Sequence, residues 1–163
     1  MKALSNPFAG LEGYHCFGCS PDNPSGLKLI FFEEGDNLIA EWVPRHDFQG
    51  YRDVLHGGIQ ATLIDEIASW VIYVKLKTGG VTAKIEVKYR IPISIIEPKV
   101  ILKAKLLGIR RNLADVVVEL FNSKGEMCTK GQATFFLPSD SIVRASLLDS
   151  KLHEINLEEN SGL

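Results

Sequence analysis

The chain has 163 residues, 45% of them hydrophobic and 23% charged, with a formal net charge of −2. That length suits one domain with a single core, and the near-neutral charge removes the electrostatic reason to expect a nucleic-acid partner. A membrane partner and export are not expected either, because no apolar run of about twenty residues and no basic-then-apolar leader occurs.

An odd count of three cysteines suits a reducing compartment, and the chain is read as cytoplasmic. Residues 1–26 are rich in Gly, Pro, Ser and Asn without periodicity, which predicts an irregular, wrapped N-terminal segment. Cys16 and Cys19 lie within it as C-F-G-C. A structural zinc site needs four ligands, and only His15 and Cys128 remain to complete one. No metal is expected, and the pair is read as buried or cap-forming thiols.

Residues 27–138 carry the regular patterns. Two β-type runs in residues 27–44 flank Glu34-Gly35-Asp36-Asn37, which predicts a hairpin. From residue 57 to about 77 there is no proline, and Ile59, Leu63, Ile67, Trp70 and Val74 recur at helical spacing. Ile64, Ala68, Val71 and Ile72 fill most of the remaining surface, so this helix must be covered on nearly all sides by a sheet or a partner subunit. Gly79-Gly80 is expected to end it.

Residues 81–91 alternate strictly. Val81, Ala83, Ile85, Val87, Tyr89 and Ile91 point one way, and Thr82, Lys84, Glu86, Lys88 and Arg90 the other, as in a half-buried antiparallel strand. Residues 99–109, 113–121 and 127–136 read as three more strands joined by hairpins. Residues 139–163 are read as a tail with some helical pattern. The sum is an α+β protein, an antiparallel sheet of about five to six strands curled around one long central helix.

Two carboxylates interrupt the apolar helix. Glu66 shares a stripe with Thr62, Ser69 and Tyr73, and a polar face accounts for it. Asp65 instead projects among Ala61, Ala68 and Ile72, where a lone carboxylate is costly unless it has a partner or a ligand. Ahead of the helix, His56-Gly57-Gly58 leaves the first-turn N–H groups approachable, and such amides can hold a developing oxyanion. Gly57 and Asp65 are roughly 12 Å apart along a helix, too far to act on one carbonyl. Two helices antiparallel across a twofold axis would bring Gly57 of one chain to Asp65 of the other.

His56, Gly57, Gly58 and Asp65, with the acid nine positions after the histidine, resemble the pattern of the hotdog-fold acyl-CoA thioesterase superfamily, PaaI-like group. The resemblance spans most of residues 14–137, including the opening CFGCSPDNPSGLKL and the strand VTAKIEVKYRIPI. It implies a hotdog thioesterase domain over residues 27–138. It also implies that Asp65 is nucleophile or general base, that the Gly57 amide polarises the thioester carbonyl, and that His56 belongs to the site. Thr82 would orient the water or the carboxylate, while Gly58, Glu66 and Gln49, the amide nearest upstream of the motif, would line the substrate.

The implied reaction is hydrolysis of an acyl-CoA to a free acid and CoA. It uses no cofactor beyond the coenzyme A of the substrate and takes place in a homodimer or dimer of dimers. The alternative is a non-catalytic acyl-CoA-binding or regulatory hotdog protein.

Overall fold

The computed structural model describes residues 1–138, and the helical pattern read into the tail lies outside them. The strands are β1 (Lys2–Ala3), β2 (Ile30–Glu34), β3 (Asn37–Trp42), β4 (Val81–Tyr89), β5 (Val100–Arg110), β6 (Leu113–Phe121) and β7 (Met127–Phe136), and α1 spans Gly57–Leu76. All seven join one antiparallel sheet in the order β1-β2-β3-β5-β6-β7-β4. This is the hotdog architecture, with two-residue β1 added at one edge by the N-terminal segment. Among the described residues, no helix is long and apolar enough to cross a membrane.

Helix α1 supplies the centre of the core. Leu63, Ile64, Ile67, Ala68, Val71 and Ile72 are fully buried, as are Leu102, Val116, Val118 and Leu120 of the sheet. Burying each large aliphatic side chain is worth about 2 kcal/mol. Helix and sheet approach closely at Gly131, where a Cβ would lie 2.8 Å from Ile64 Cδ1. In the C-terminal half of the helix Trp70 stacks on Phe31 with ring centroids 4.4 Å apart. The helix ends before Gly79-Gly80, because Lys77 itself takes the left-handed cap conformation at φ 53° and its N–H reaches the Tyr73 carbonyl.

Strand β4 departs from the alternation that its sequence suggests, for two reasons. It is an edge strand, so Val81 and Tyr89 remain about half exposed. In addition, its register with β7 shifts between Thr82 and Lys84: Thr82 pairs with Phe135, but Ile85 pairs with Ala133. The extra residue, Ala83, is a bulge. Directly paired residues share a face, so Thr82 joins Ile85 and Val87 on the helix side instead of following Lys84 and Glu86 away from it.

A buried amide fixes the chain entering α1. Gln60, 4% exposed, donates from Nε2 to the Leu55 carbonyl at 3.2 Å and accepts from the Thr129 hydroxyl at 2.5 Å. Replacing it by leucine would strand a buried hydroxyl and a buried carbonyl. Gln60→Leu is expected to lower the free energy of unfolding by about 1–3 kcal/mol, measured by urea denaturation. An unchanged midpoint would mean that this pair does not hold the turn.

Candidate active site

The turn before α1 sets out a row of backbone donors. His56 is the N-cap residue, and its Nδ1 accepts from the Gly58 N–H at 2.9 Å. The Ile59 and Gln60 N–H groups both bond to the His56 carbonyl, at 3.0 and 3.2 Å. That leaves the Gly57 N–H, which has no acceptor among the described residues, at the positive end of the helix dipole. The histidine ring is therefore engaged in holding the turn, with only Nε2 directed elsewhere.

Tyr89, at the end of β4, donates its hydroxyl to the Gly57 carbonyl at 2.8 Å. Its ring sits where a Gly57 side chain would go, since a Cβ there would lie 3.3 Å from the phenol. The strand thus fixes the orientation of the Gly57 peptide. Gly58 is exposed, and its carbonyl accepts from the Thr62 hydroxyl at 2.9 Å.

Two turns along the helix, Asp65 is half-buried and accepts from the Thr82 hydroxyl at 2.7 Å through Oδ1. The β4 bulge is what brings Thr82 there. One carboxylate oxygen is held by this bond, while no other side-chain bond engages the second among the described residues. Asp65 and Gly57 lie on one helix about 12 Å apart.

Glu66 does not occupy a solvated polar face. It turns towards the N-terminal segment, where it accepts from Trp70 Nε1 at 3.2 Å and lies 3.5 Å from Cys16 Sγ through both oxygens. Burial pushes its carboxyl up to about 7. The helical stripe shared with Thr62, Ser69 and Tyr73 exists, but residues 8–19 cover its C-terminal part. Gln49 is exposed, and its Oε1 accepts from the Asp53 N–H at 3.4 Å.

The two thiols are not alike. A hydrogen bond from Cys19 holds the Cys16 thiol well below the usual range despite its burial, and the amides of Cys19 and Gly18 assist. Cys19 is pushed up by the same bond and by burial. Tyr14 bonds Cys19 Sγ at 2.9 Å, and burial raises its hydroxyl. His15 is exposed and Cys128 is buried in β7, so neither joins them.

Residues 53–129 match the thioesterase superfamily sequence pattern. Together with the fold just described, the match makes this chain similar to the thioesterase-superfamily hotdog proteins. Zebrafish thioesterase superfamily member 2 superposes with a TM-score of 0.62 at 25% identity, covering 68% of this chain and 82% of that one. A Streptococcus pneumoniae hypothetical thioesterase, solved with coenzyme A, shares the fold at 20% identity and TM-score 0.60, over 65% of this chain and 85% of that one. A Caenorhabditis elegans protein with a provisional esterase name is 32% identical over 105 residues, 63% of this chain. The chain spans 62% of that relative's length.

Within this hotdog domain the structure adds three groups to those read from the sequence: Tyr89 behind Gly57, Gln60 beneath the turn, and the Cys16-Cys19-Glu66 cluster. Tyr89 was visible only as one member of an alternating strand. The cluster joins residues fifty positions apart, which no local pattern can link.

The capping role of His56 makes a specific expectation. Asparagine offers a side-chain oxygen to the same Gly58 N–H, whereas alanine offers nothing. His56→Ala should cost about 1 kcal/mol of stability and His56→Asn only a fraction of that in thermal unfolding. Equal losses would show that the imidazole serves something other than the cap.

Proposed function

We propose that the protein is an acyl-CoA thioesterase whose sites are shared between two copies of the chain. The observation that carries this reading is the Asp65 carboxylate, half-buried and held through one oxygen by Thr82 at 2.7 Å. An acid oriented through one oxygen can use the other to attack a thioester carbonyl or to take a proton from attacking water. The unbonded Gly57 N–H of the partner would supply the oxyanion donor, an interaction worth about 3–4 kcal/mol in comparable sites. Tyr89 would position that amide by holding the other side of the same residue.

A shared site explains why neither group has its counterpart within reach in one chain. Among the described residues β4, nine residues long with Val81 and Tyr89 exposed, pairs only with β7, which leaves an outer edge that a second copy can cover. A homodimer, or a dimer of dimers, is therefore part of the proposal. Coenzyme A as the leaving group is supported by the superfamily match and by the coenzyme A bound to the Streptococcus pneumoniae relative. The reaction needs neither a redox change nor a cofactor: water adds to the carbonyl, the C–S bond breaks, and the thiolate leaves and is protonated.

A panel of acyl-CoAs followed by thiol release tests this directly. At least one should be hydrolysed, and Asp65→Asn should lower kcat by at least about a hundredfold with an unchanged circular dichroism spectrum. Tight acyl-CoA binding without thiol release would mean a binding protein instead. Full activity in Asp65→Asn would remove the aspartate from the mechanism.

A further inference from the structure

Three groups with metal-binding atoms meet beneath the N-terminal segment. Cys16 Sγ, Cys19 Sγ and a Glu66 oxygen all lie within 4.8 Å of one another. Cys16 Sγ is 3.5 Å from both Glu66 oxygens. Around a tetrahedral zinc ion, a sulfur at about 2.3 Å and an oxygen at about 2.0 Å stand about 3.5 Å apart. The spacing is thus that of two ligands on one ion.

The backbone is built around this cluster. The Ser20 N–H bonds to the Cys16 carbonyl at 3.2 Å, closing a turn that brings the two sulfurs to one side. Gly18 in that turn lies so close to Glu66 that a Cβ would collide with the carboxylate. No larger residue could be accommodated without moving the acid. Leu27 and Leu29 donate to the Phe17 and Gly18 carbonyls at 2.7 and 2.9 Å, which anchors the turn on the chain leading into β2.

Without a cation the cluster avoids carrying three charges by holding protons: the bond to Cys16 and burial push the Cys19 thiol up, and burial pushes the Glu66 carboxyl up. A bound cation would take the place of those protons. Thiolate ligands select a zinc-like ion over magnesium or calcium. Tyr14, 2.9 Å from Cys19 Sγ, is placed to donate to the sulfur, as groups behind metal ligands commonly do.

We propose that Cys16, Cys19 and Glu66 form a zinc site whose fourth position opens into the adjoining cavity. That cavity, of about 430 Å³, is lined by Phe8, Tyr14, Trp70 and Tyr73 besides the three ligands. Three protein ligands leave one position for water or for the anionic end of a small molecule whose apolar part the aromatic rings would accept. Binding releases the thiol protons to solvent and involves no change of oxidation state. The ion would also clip residues 16 and 19 to residue 66, joining the N-terminal segment to the central helix. This site is distinct from Asp65 and does not depend on the thioesterase reading.

The test uses the whole chain, stripped of metal under reducing conditions and titrated with Co²⁺. The proposal predicts one ion per chain, with the intense visible bands of four-coordinate Co²⁺ and a sulfur-to-cobalt charge-transfer band. Zn²⁺ should displace the cobalt and raise Tm. Glu66→Gln, close to isosteric, should weaken binding by at least about tenfold, and Cys16→Ser should remove most of the charge-transfer band. Cys128→Ala should leave both unchanged. Absence of the charge-transfer band in the wild-type protein overturns the proposal without recourse to any variant. So does isolation of the protein as a Cys16–Cys19 disulfide that, once reduced, binds no metal.

Discussion

A twenty-residue helix that is apolar on nearly every side cannot face water, and the arrangement of the chain follows from enclosing it. The sheet supplies most of the enclosure, with Gly131 leaving room for Ile64. The N-terminal segment covers the stripe that the sheet leaves open, and β1 pairs its beginning to β2. The described residues leave the outer edge of β4 and the helix start beside it uncovered. In a protein whose interior is so fully closed, an opening of this kind identifies where chemistry or assembly can take place.

The same enclosure makes each polar side chain on the helix informative. Gln60 is satisfied internally by Leu55 and Thr129 and fixes the entering turn. Asp65 meets Thr82 at the accessible side, next to the free strand edge. Glu66, one residue on and about 100° round the helix, faces the opposite cover and meets two thiols. Two adjacent acids therefore sit in separate environments. Burial raises Glu66 to about 7, while Asp65 keeps one oxygen free of side-chain partners among the described residues.

The helix and six of the strands were legible because periodicities of 3.6 and 2 report burial directly. The Thr82–Asp65 contact followed from the family resemblance but not from the alternation, which put Thr82 on the wrong face. A one-residue bulge at Ala83 reverses the parity, and nothing in the local sequence announces it. Glu66 was misread for a different reason. The helical wheel gives its stripe correctly but does not say what lies over that stripe, and an irregular segment has no periodicity to predict. The helix end fell within a residue of the expected position, but Lys77, a residue with a side chain, takes the terminating conformation expected of Gly79-Gly80.

The central proposal is that one catalytic site draws Gly57 from one chain and Asp65 from another. Mixing two inactive variants tests it most directly. Gly57→Val would push against Tyr89, whose phenol a Cβ would meet at 3.3 Å, and would crowd the amide, while Asp65→Asn removes the carboxylate. In a heterodimer one of the two sites would combine the intact glycine of one chain with the intact aspartate of the other. With random exchange of equal amounts, activity should return to about a quarter of wild type. If mass spectrometry shows that subunits have exchanged and no activity returns, the shared site is contradicted and Asp65 is a structural acid bonded to Thr82.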